Sequence, residues 1–214
     1  MNYKAVFFDM DGTVLDTLAD LQDAVNHTLS HFGYPTREPE YIRQILGFGA
    51  ANLIERALPD GVSKERFEEV FAYYKPYYKE HSMIKTAPFA GIPELLDRLA
   101  AAGKKTAIIS NKPDPTVQVL REKFFPEVYC LGEKPGVPIK PNPAMLLATA
   151  AHFDVAPEEV IYVGDTEFDI EGSRAAGMGL IVITHGFRDR AQLEPYSPAY
   201  MIDRVDELEK LLLS

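Results

Sequence analysis

Cysteine is nearly absent: Cys130 is alone in the chain, so no intramolecular disulfide can form and a reducing compartment is the expectation. Long apolar runs are missing too. Nothing approaches the roughly 20 residues of a membrane-spanning helix, and Met1 to Lys4 leads straight into a strand-like run instead of an export signal. A cytosolic protein with no membrane partner is expected. Internal repeats and low-complexity tracts are lacking, and 16 prolines, 14 glycines and 25% charged residues exclude collagen-like, coiled-coil and disordered chains. Positive charge is the remaining shortage, with 22 lysines and arginines against 32 aspartates and glutamates, a formal charge of −10. Backbone recognition of nucleic acid requires a basic face, so nucleic acid is not an expected partner. The same imbalance repels small anions at long range. Any phosphate site must therefore be made positive locally, by a metal ion, a lysine or helix N-termini.

What the chain does have is apolar material: 46% of its 214 residues, enough for one core or for one core carrying a smaller insertion. Ala5, Val6, Phe7 and Phe8 form an unbroken apolar run that stops at Asp9, as in a strand buried on both faces. Thr106 to Ile109 stops likewise at Ser110 and Asn111, and Val160 to Val163 at Gly164 and Asp165. Leu180 to Thr184 and Glu127 to Leu131 extend the set to five or six strands. Helices separate them: one from Pro93 to Ala102 closed by Gly103, one from Pro143 to Phe153, and one from Glu167 to Ala176 closed by Gly177. This alternation predicts an α/β fold with a doubly wound parallel sheet, whose ligands sit beyond the carboxyl ends of the strands. One block breaks the pattern. Between Asp16 and Ala87 no strand is predicted, while Leu21, Ala24, Val25, Thr28, Leu29 and Phe32 recur at helical spacing, followed by helices over 37–46, 50–58 and 63–80. The expected organisation is a core of residues 1–15 and 88–214 with an all-helical insertion of 16–87, joined by two crossings that make a hinge.

Asp9 and Asp11 lie two residues apart at a strand tip, with Gly12 and Thr13 behind them. Residues i and i+2 of a strand share a side, so both carboxylates can face one ligand. Their repulsion is relieved by a divalent cation, hard oxygen ligands suit Mg²⁺, and Asp165 supplies a further ligand. Asp and Gly equally favour a plain turn. Ser110 and Asn111 bring donors suited to phosphoryl oxygens, or form a turn pair. Lys140, with Pro141 and Pro143 close by, brings a fixed cation, whereas Lys140 and Lys112 also read as solvated surface lysines. Asp169 can hold Lys140 or a metal-bound water from behind the site, or serve only as charge at a helix N-terminus. Together these four polar signals, all at strand ends, point to one site.

Asp9-Met10-Asp11-Gly12-Thr13, then Ser110-Asn111, Lys140, and Gly164-Asp165-Thr166 with Asp169 resemble the four motifs of the haloacid dehalogenase-like hydrolases, over the whole chain. The resemblance implies a Rossmann-like core, a helical cap inserted after the first strand, and a phosphoryl-aspartyl intermediate. It casts Asp9 as the nucleophile, Asp11 as the proton donor and acceptor, and Asp9, Asp165 and the Asp11 carbonyl as Mg²⁺ ligands. Gly12, Thr13, Ser110, Asn111 and Lys140 then contact the phosphoryl group, with Asp169 behind them. Because the dehalogenases lack the second aspartate, Asp11 favours a phosphoryl substrate.

Leu46-Gly47-Phe48-Gly49-Ala50 resembles the cap loop of phosphoglycolate phosphatases, which makes Gly47 a candidate substrate contact and a small phosphorylated acid the expected partner. Phe48 stands where that group often has Asn. A phosphosugar mutase or a pyrophosphatase on the same fold, and a non-enzymatic receiver module that accepts phosphate, remain as alternatives. Phe71, Tyr73, Tyr74, Tyr77 and Tyr78 are expected to pack within the helical block rather than stack on bases. His185 is assigned no role, and Cys130 is expected to act as a small buried hydrophobe. The sequence does not set the oligomeric state.

Overall fold

Ala5, Val6, Phe7 and Phe8 are all buried in strand β1 (Ala5–Phe8), the central strand of the sheet. The structure, a computed structural model, describes residues 3–213, so Met1 and Asn2 lie outside it. After β1 the chain forms β2 (Leu15–Asp16), then the helices α1 (Leu18–His31), α2 (Pro39–Ile45), α3 (Gly49–Ala57) and α4 (Lys64–His81), and returns through β3 (Ala87–Pro88). The remainder alternates: α5 (Ile92–Ala101), β4 (Lys105–Pro113), α6 (Asp114–Phe124), β5 (Tyr129–Glu133), α7 (Ala144–His152), β6 (Val160–Gly164), α8 (Glu167–Ala175), β7 (Gly179–Ile183), α9 (Arg190–Leu193), β8 (Met201–Ile202) and α10 (Val205–Leu213).

Six strands form one parallel sheet in the order β5-β4-β1-β6-β7-β8. Alternate residues of β1 feed two separate cores. Val6 and Phe8 pack with Leu95 and Leu99 of α5, Leu120 of α6 and Leu208 of α10, whereas Ala5 and Phe7 pack with Met145 and Leu146 of α7. Helices thus cover both faces, which is why β1 shows no polar residue. From β1 the chain runs outward through β4 and β5 on one side and through β6, β7 and β8 on the other. The crevice beyond the carboxyl ends of β1, β4 and β6 is therefore a topological switch point.

Helices α1 to α4 bury a cluster of their own, including Val25, Leu29, Ile42, Ile54 and Val70. Tyr74 and Tyr78 belong to this cluster, while Tyr73 and Tyr77 stack on His31 and His27. The block is not strand-free at its margins, because Leu15 pairs with Pro88 and Asp16 with Ala87 in an antiparallel ladder. Two-residue strands carry no periodicity, so the expectation of no strand from Asp16 to Ala87 needs this correction. Asp20 strengthens the junction: its carboxylate accepts from the N–H groups of Ile84, Lys85 and Thr86 at 2.9–3.0 Å.

Candidate active site

The strand order brings the acidic residues together. Asp9 follows β1 and donates its N–H to Val163 O of β6 at 2.8 Å, so it stands beside Asp165 at the end of that strand. The turn after Asp9 closes as Gly12 donates to Leu15 O. Gly12 takes φ +85°, and a Cβ there would collide with the Asp165 carboxylate. Glycine is thus required on both conformational and steric grounds. A Cβ on Gly164 would likewise strike Asp169.

Lys140 is the hub. Its side chain is only 2% exposed, and its Nζ lies 2.6 Å from Asp9 Oδ1, 2.7 Å from Asp169 Oδ1, 2.8 Å from the Tyr162 hydroxyl and 3.1 Å from Ile109 O, four acceptors around three N–H groups. It is not a solvated surface lysine. Burial alone would pull its pKa down, but the carboxylates of Asp169 and Asp9 hold it well above the usual value. Asp169 is fully engaged: Oδ1 accepts from Lys140 and Tyr162, and Oδ2 accepts from the Asp165 N–H, the Thr166 N–H and the Thr166 hydroxyl. Such an aspartate orients its neighbours and has no oxygen left to coordinate with.

Asp165 is held by uncharged donors. Thr13 donates to Oδ1 and the Phe187 N–H to Oδ2, each at 2.7 Å. Burial and Asp169 push its carboxyl up to about 7 against these two bonds. Burial also pushes Asp9 well above the ordinary carboxylate range, with Lys140 opposing. Carboxylate oxygens of Asp9, Asp165 and Asp169 lie within 4.8 Å of one another. Three carboxylates against one ammonium leave a deficit of positive charge. A hard divalent ion at Asp9 and Asp165 fits both that deficit and the oxygen donors.

Asp11 faces the same cavity from the other side. Its Oδ1 accepts from the Thr17 hydroxyl at 2.7 Å and lies 3.0 Å from Lys112 Nζ, while the Ser110 hydroxyl reaches Oδ2 at 3.4 Å. Lys112, read from sequence as a surface lysine, is buried and also meets the Tyr78 hydroxyl at 2.5 Å. The available signal was its place two residues beyond Ser110 in β4, on the same side of the strand. Asn111 is committed elsewhere: its Nδ2 donates to Gly47 O and Lys140 O, each at 2.9 Å, and its Oδ1 accepts the Lys140 N–H at 2.8 Å. It ties the α2–α3 loop and the Lys140 backbone to β4. Thr13 and Gly12 are similarly engaged, by Asp165 and Leu15.

Asp9, Asp11, Ser110, Asn111, Lys112 and Lys140 line a cavity of about 50 Å³ between the strand ends and α1, α3 and α4, with Leu21, Leu53 and Phe187 as apolar walls, whereas Gly12, Thr13, Asp165 and Asp169 stand behind that lining. His185 lies apart, its ring against Phe89 and its Nε2 3.2 Å from Thr13 O, and burial lowers its pKa. Cys130 is buried, and its thiol is pushed up to about 12 by that burial. Among the described residues no helix is long and apolar enough to cross a membrane.

Known proteins resemble this chain over nearly its whole length. Phosphoglycolate phosphatase 1 of Pseudomonas aeruginosa is 31% identical over 96% of this chain and 78% of its own length. The phosphoglycolate phosphatase of Haemophilus influenzae is 30% identical over 98% of both chains. A Lactobacillus delbrueckii subsp. bulgaricus structure, provisionally named a phosphoglycolate phosphatase, superposes with a TM-score of 0.93 at 34% identity, covering 99% of each chain. The pattern of the haloacid dehalogenase-like hydrolase family matches residues 6–183, and with the strand-end aspartates assembled around Lys140 the chain belongs to that family.

Proposed function

We propose that this enzyme is a phosphomonoester hydrolase for a small phosphorylated acid of the phosphoglycolate kind, with Asp9 as nucleophile and Mg²⁺ as cofactor. The observation that carries this reading is the Asp9 carboxylate, buried at the tip of β1 on the cavity wall with Lys140 at 2.6 Å on Oδ1 and Asp165 beside it. The names of the relatives supply the substrate class.

Asp9, Asp165 and the backbone carbonyl of Asp11 would hold the ion, which when bound supplies the positive charge that lets a carboxylate approach a phosphoryl group. Asp9 forms a bond to phosphorus as the bond from phosphorus to the departing oxygen breaks, dividing hydrolysis into two easier steps. Asp11 protonates the departing oxygen and then takes a proton from the water that attacks the aspartyl phosphate. Lys112 and Thr17 orient Asp11 for both transfers. The long 3.4 Å contact of the Ser110 hydroxyl is easily redirected to a phosphoryl oxygen, where Lys140 adds its charge. Thr13 and Asp169 hold Asp165, while Asn111 positions Lys140 and Gly47.

Residues 16–87 form, on this reading, a helical cap over a core of 1–15 and 88–214. Support comes from its separate apolar cluster, the paired crossings at β2 and β3, and the cavity between the two parts. A cap in this place excludes bulk water and restricts the substrate to a short one.

The test is free phosphate released from phosphoglycolate, sugar phosphates, nucleotides and pyrophosphate, with and without EDTA, beside an Asp9→Asn control. Expected are release favouring phosphoglycolate, loss on chelation, and a fall of at least about a thousandfold in a folded Asp9→Asn variant. No release from any substrate overturns the reading, as does normal turnover by the variant. Isomerisation of a hexose phosphate without net release would make the enzyme a mutase.

A further inference from the structure

The Tyr74 hydroxyl is without a hydrogen-bond partner among the described residues. Tyr74 lies in α4, is 1% exposed, stacks in parallel on Tyr78 with centroids 5.6 Å apart, and lines the same cavity as Asp9 and Lys112. Among the described residues no group hydrogen-bonds its hydroxyl, although leaving a buried hydroxyl unpaired is destabilising. A polar atom kept in that state beside an active-site cavity is one that a ligand completes.

Its neighbours define the ligand. Lys112 has three N–H donors, of which Asp11 at 3.0 Å and the Tyr78 oxygen at 2.5 Å take two. The Tyr78 hydroxyl accepts from Lys112, so its own hydrogen remains. Burial holds both phenols well above their usual pKa, which keeps them protonated donors. Tyr74, Tyr78 and Lys112, the last already paired with Asp11, thus bring three donors to the cavity wall. A carboxylate, which only accepts, satisfies this set, whereas a hydroxyl would bring a hydrogen of its own. Leu21 and Leu53 limit the reach to a short chain.

We propose that Tyr74, together with Lys112 and Tyr78, binds the carboxylate of a short phosphorylated hydroxy acid and so sets a preference for acids over uncharged phosphate esters, a subsite that rests on the phosphatase reading. The test is calorimetric titration with phosphoglycolate and with ethyl phosphate, which has a methyl in place of the carboxylate. Both are titrated with Mg²⁺ into Asp9→Asn and into Asp9→Asn/Tyr74→Phe. Expected is a loss of about tenfold in phosphoglycolate affinity on adding Tyr74→Phe, and an equal fall in the ratio of phosphoglycolate to ethyl phosphate binding. In the otherwise native enzyme Tyr74→Phe should raise KM for phosphoglycolate by a similar factor with little change in kcat, and the ligand-free melting temperature should not fall.

Equal weakening of both esters, an unchanged ratio, no binding of either ester, or a lower melting temperature would each overturn the subsite. Selective binding that persists in a protein releasing phosphate from neither ester would support the subsite while defeating the hydrolase reading. The two failures are thereby distinguishable.

Discussion

Asp9 and Asp165 stand side by side but are neutralised differently. Asp9 is in direct contact with the Lys140 ammonium, whereas Asp165 accepts from the Thr13 hydroxyl and the Phe187 N–H and feels Lys140 at a greater distance. Burial therefore leaves Asp165 titrating at about 7. A carboxyl whose folded pKa lies above its unfolded value binds more protons in the native state, so metal-free stability falls as pH rises from the ordinary carboxylate range to about 7 and levels off beyond it. A divalent ion needs the ionised carboxylate and competes with that proton. The Mg²⁺-induced rise in melting temperature should therefore be largest near pH 8 and shrink below about 7, with affinity falling about tenfold per pH unit for one displaced proton. A rise of constant size from pH 8 to pH 5 would contradict the assignment of Asp165 to the ion. Residue identities of this kind were legible in the sequence because each acidic or basic group interrupts an apolar run. The commitments of Asn111 and Thr13 to other side chains were not, since those bonds span 29 and 152 residues.

Among the elements, the turn from β1 to β2 does more than reverse the chain. Gly12 must adopt φ +85° and also leave room for Asp165, which is held by Thr13 one residue later. Gly33 has a similar φ of +76°, but a Cβ there would meet nothing within 4 Å. The two positions separate backbone strain from site geometry. Gly33→Ala should cost about 1 kcal/mol of strain and leave phosphate release intact; Gly12→Ala should cost about 2–3 kcal/mol and abolish release. Denaturant midpoints and phosphate assays on both variants check this, and equal behaviour of the two would refute the packing argument. The buried strands β1, β6 and β7 were readable because an all-apolar run of four residues that ends in polar groups is too short for a buried helix and suits a strand covered on both faces. The pair β2 and β3, and the edge strand β8, are two residues each, and only their distant partners make them strands.

At the scale of the molecule, three sets of bonds fix the helical block against the sheet. The β2–β3 ladder and the Asp20 carboxylate secure the crossings, and Asn111 holds Gly47. The third is Arg188, which follows β7: it is 6% exposed, pairs with Glu167 through Nε and Nη2 at 2.8 and 3.0 Å, and donates to Arg43 O at 3.1 Å and Leu46 O at 3.0 Å. Arg43 returns a bond to Gly186 O at 2.9 Å. The first set sits where the chain crosses, whereas Arg188 grips the C-terminal end of α2 and the loop that follows it. Removing it should free that loop while leaving the crossings intact. In Arg188→Ala, chymotrypsin should cut at Phe48, already 39% exposed, about tenfold faster than in the native enzyme, because local opening sets the rate. The KM for phosphoglycolate should rise by a similar factor, since Gly47 and Gly49 of that loop line the cavity. Saturating substrate analogue should restore slow cleavage, because a ligand that binds only the closed loop shifts the equilibrium towards it. Unchanged cleavage with a raised KM would place the effect of Arg188 in the cavity electrostatics rather than in the loop, and the latch would have to be abandoned.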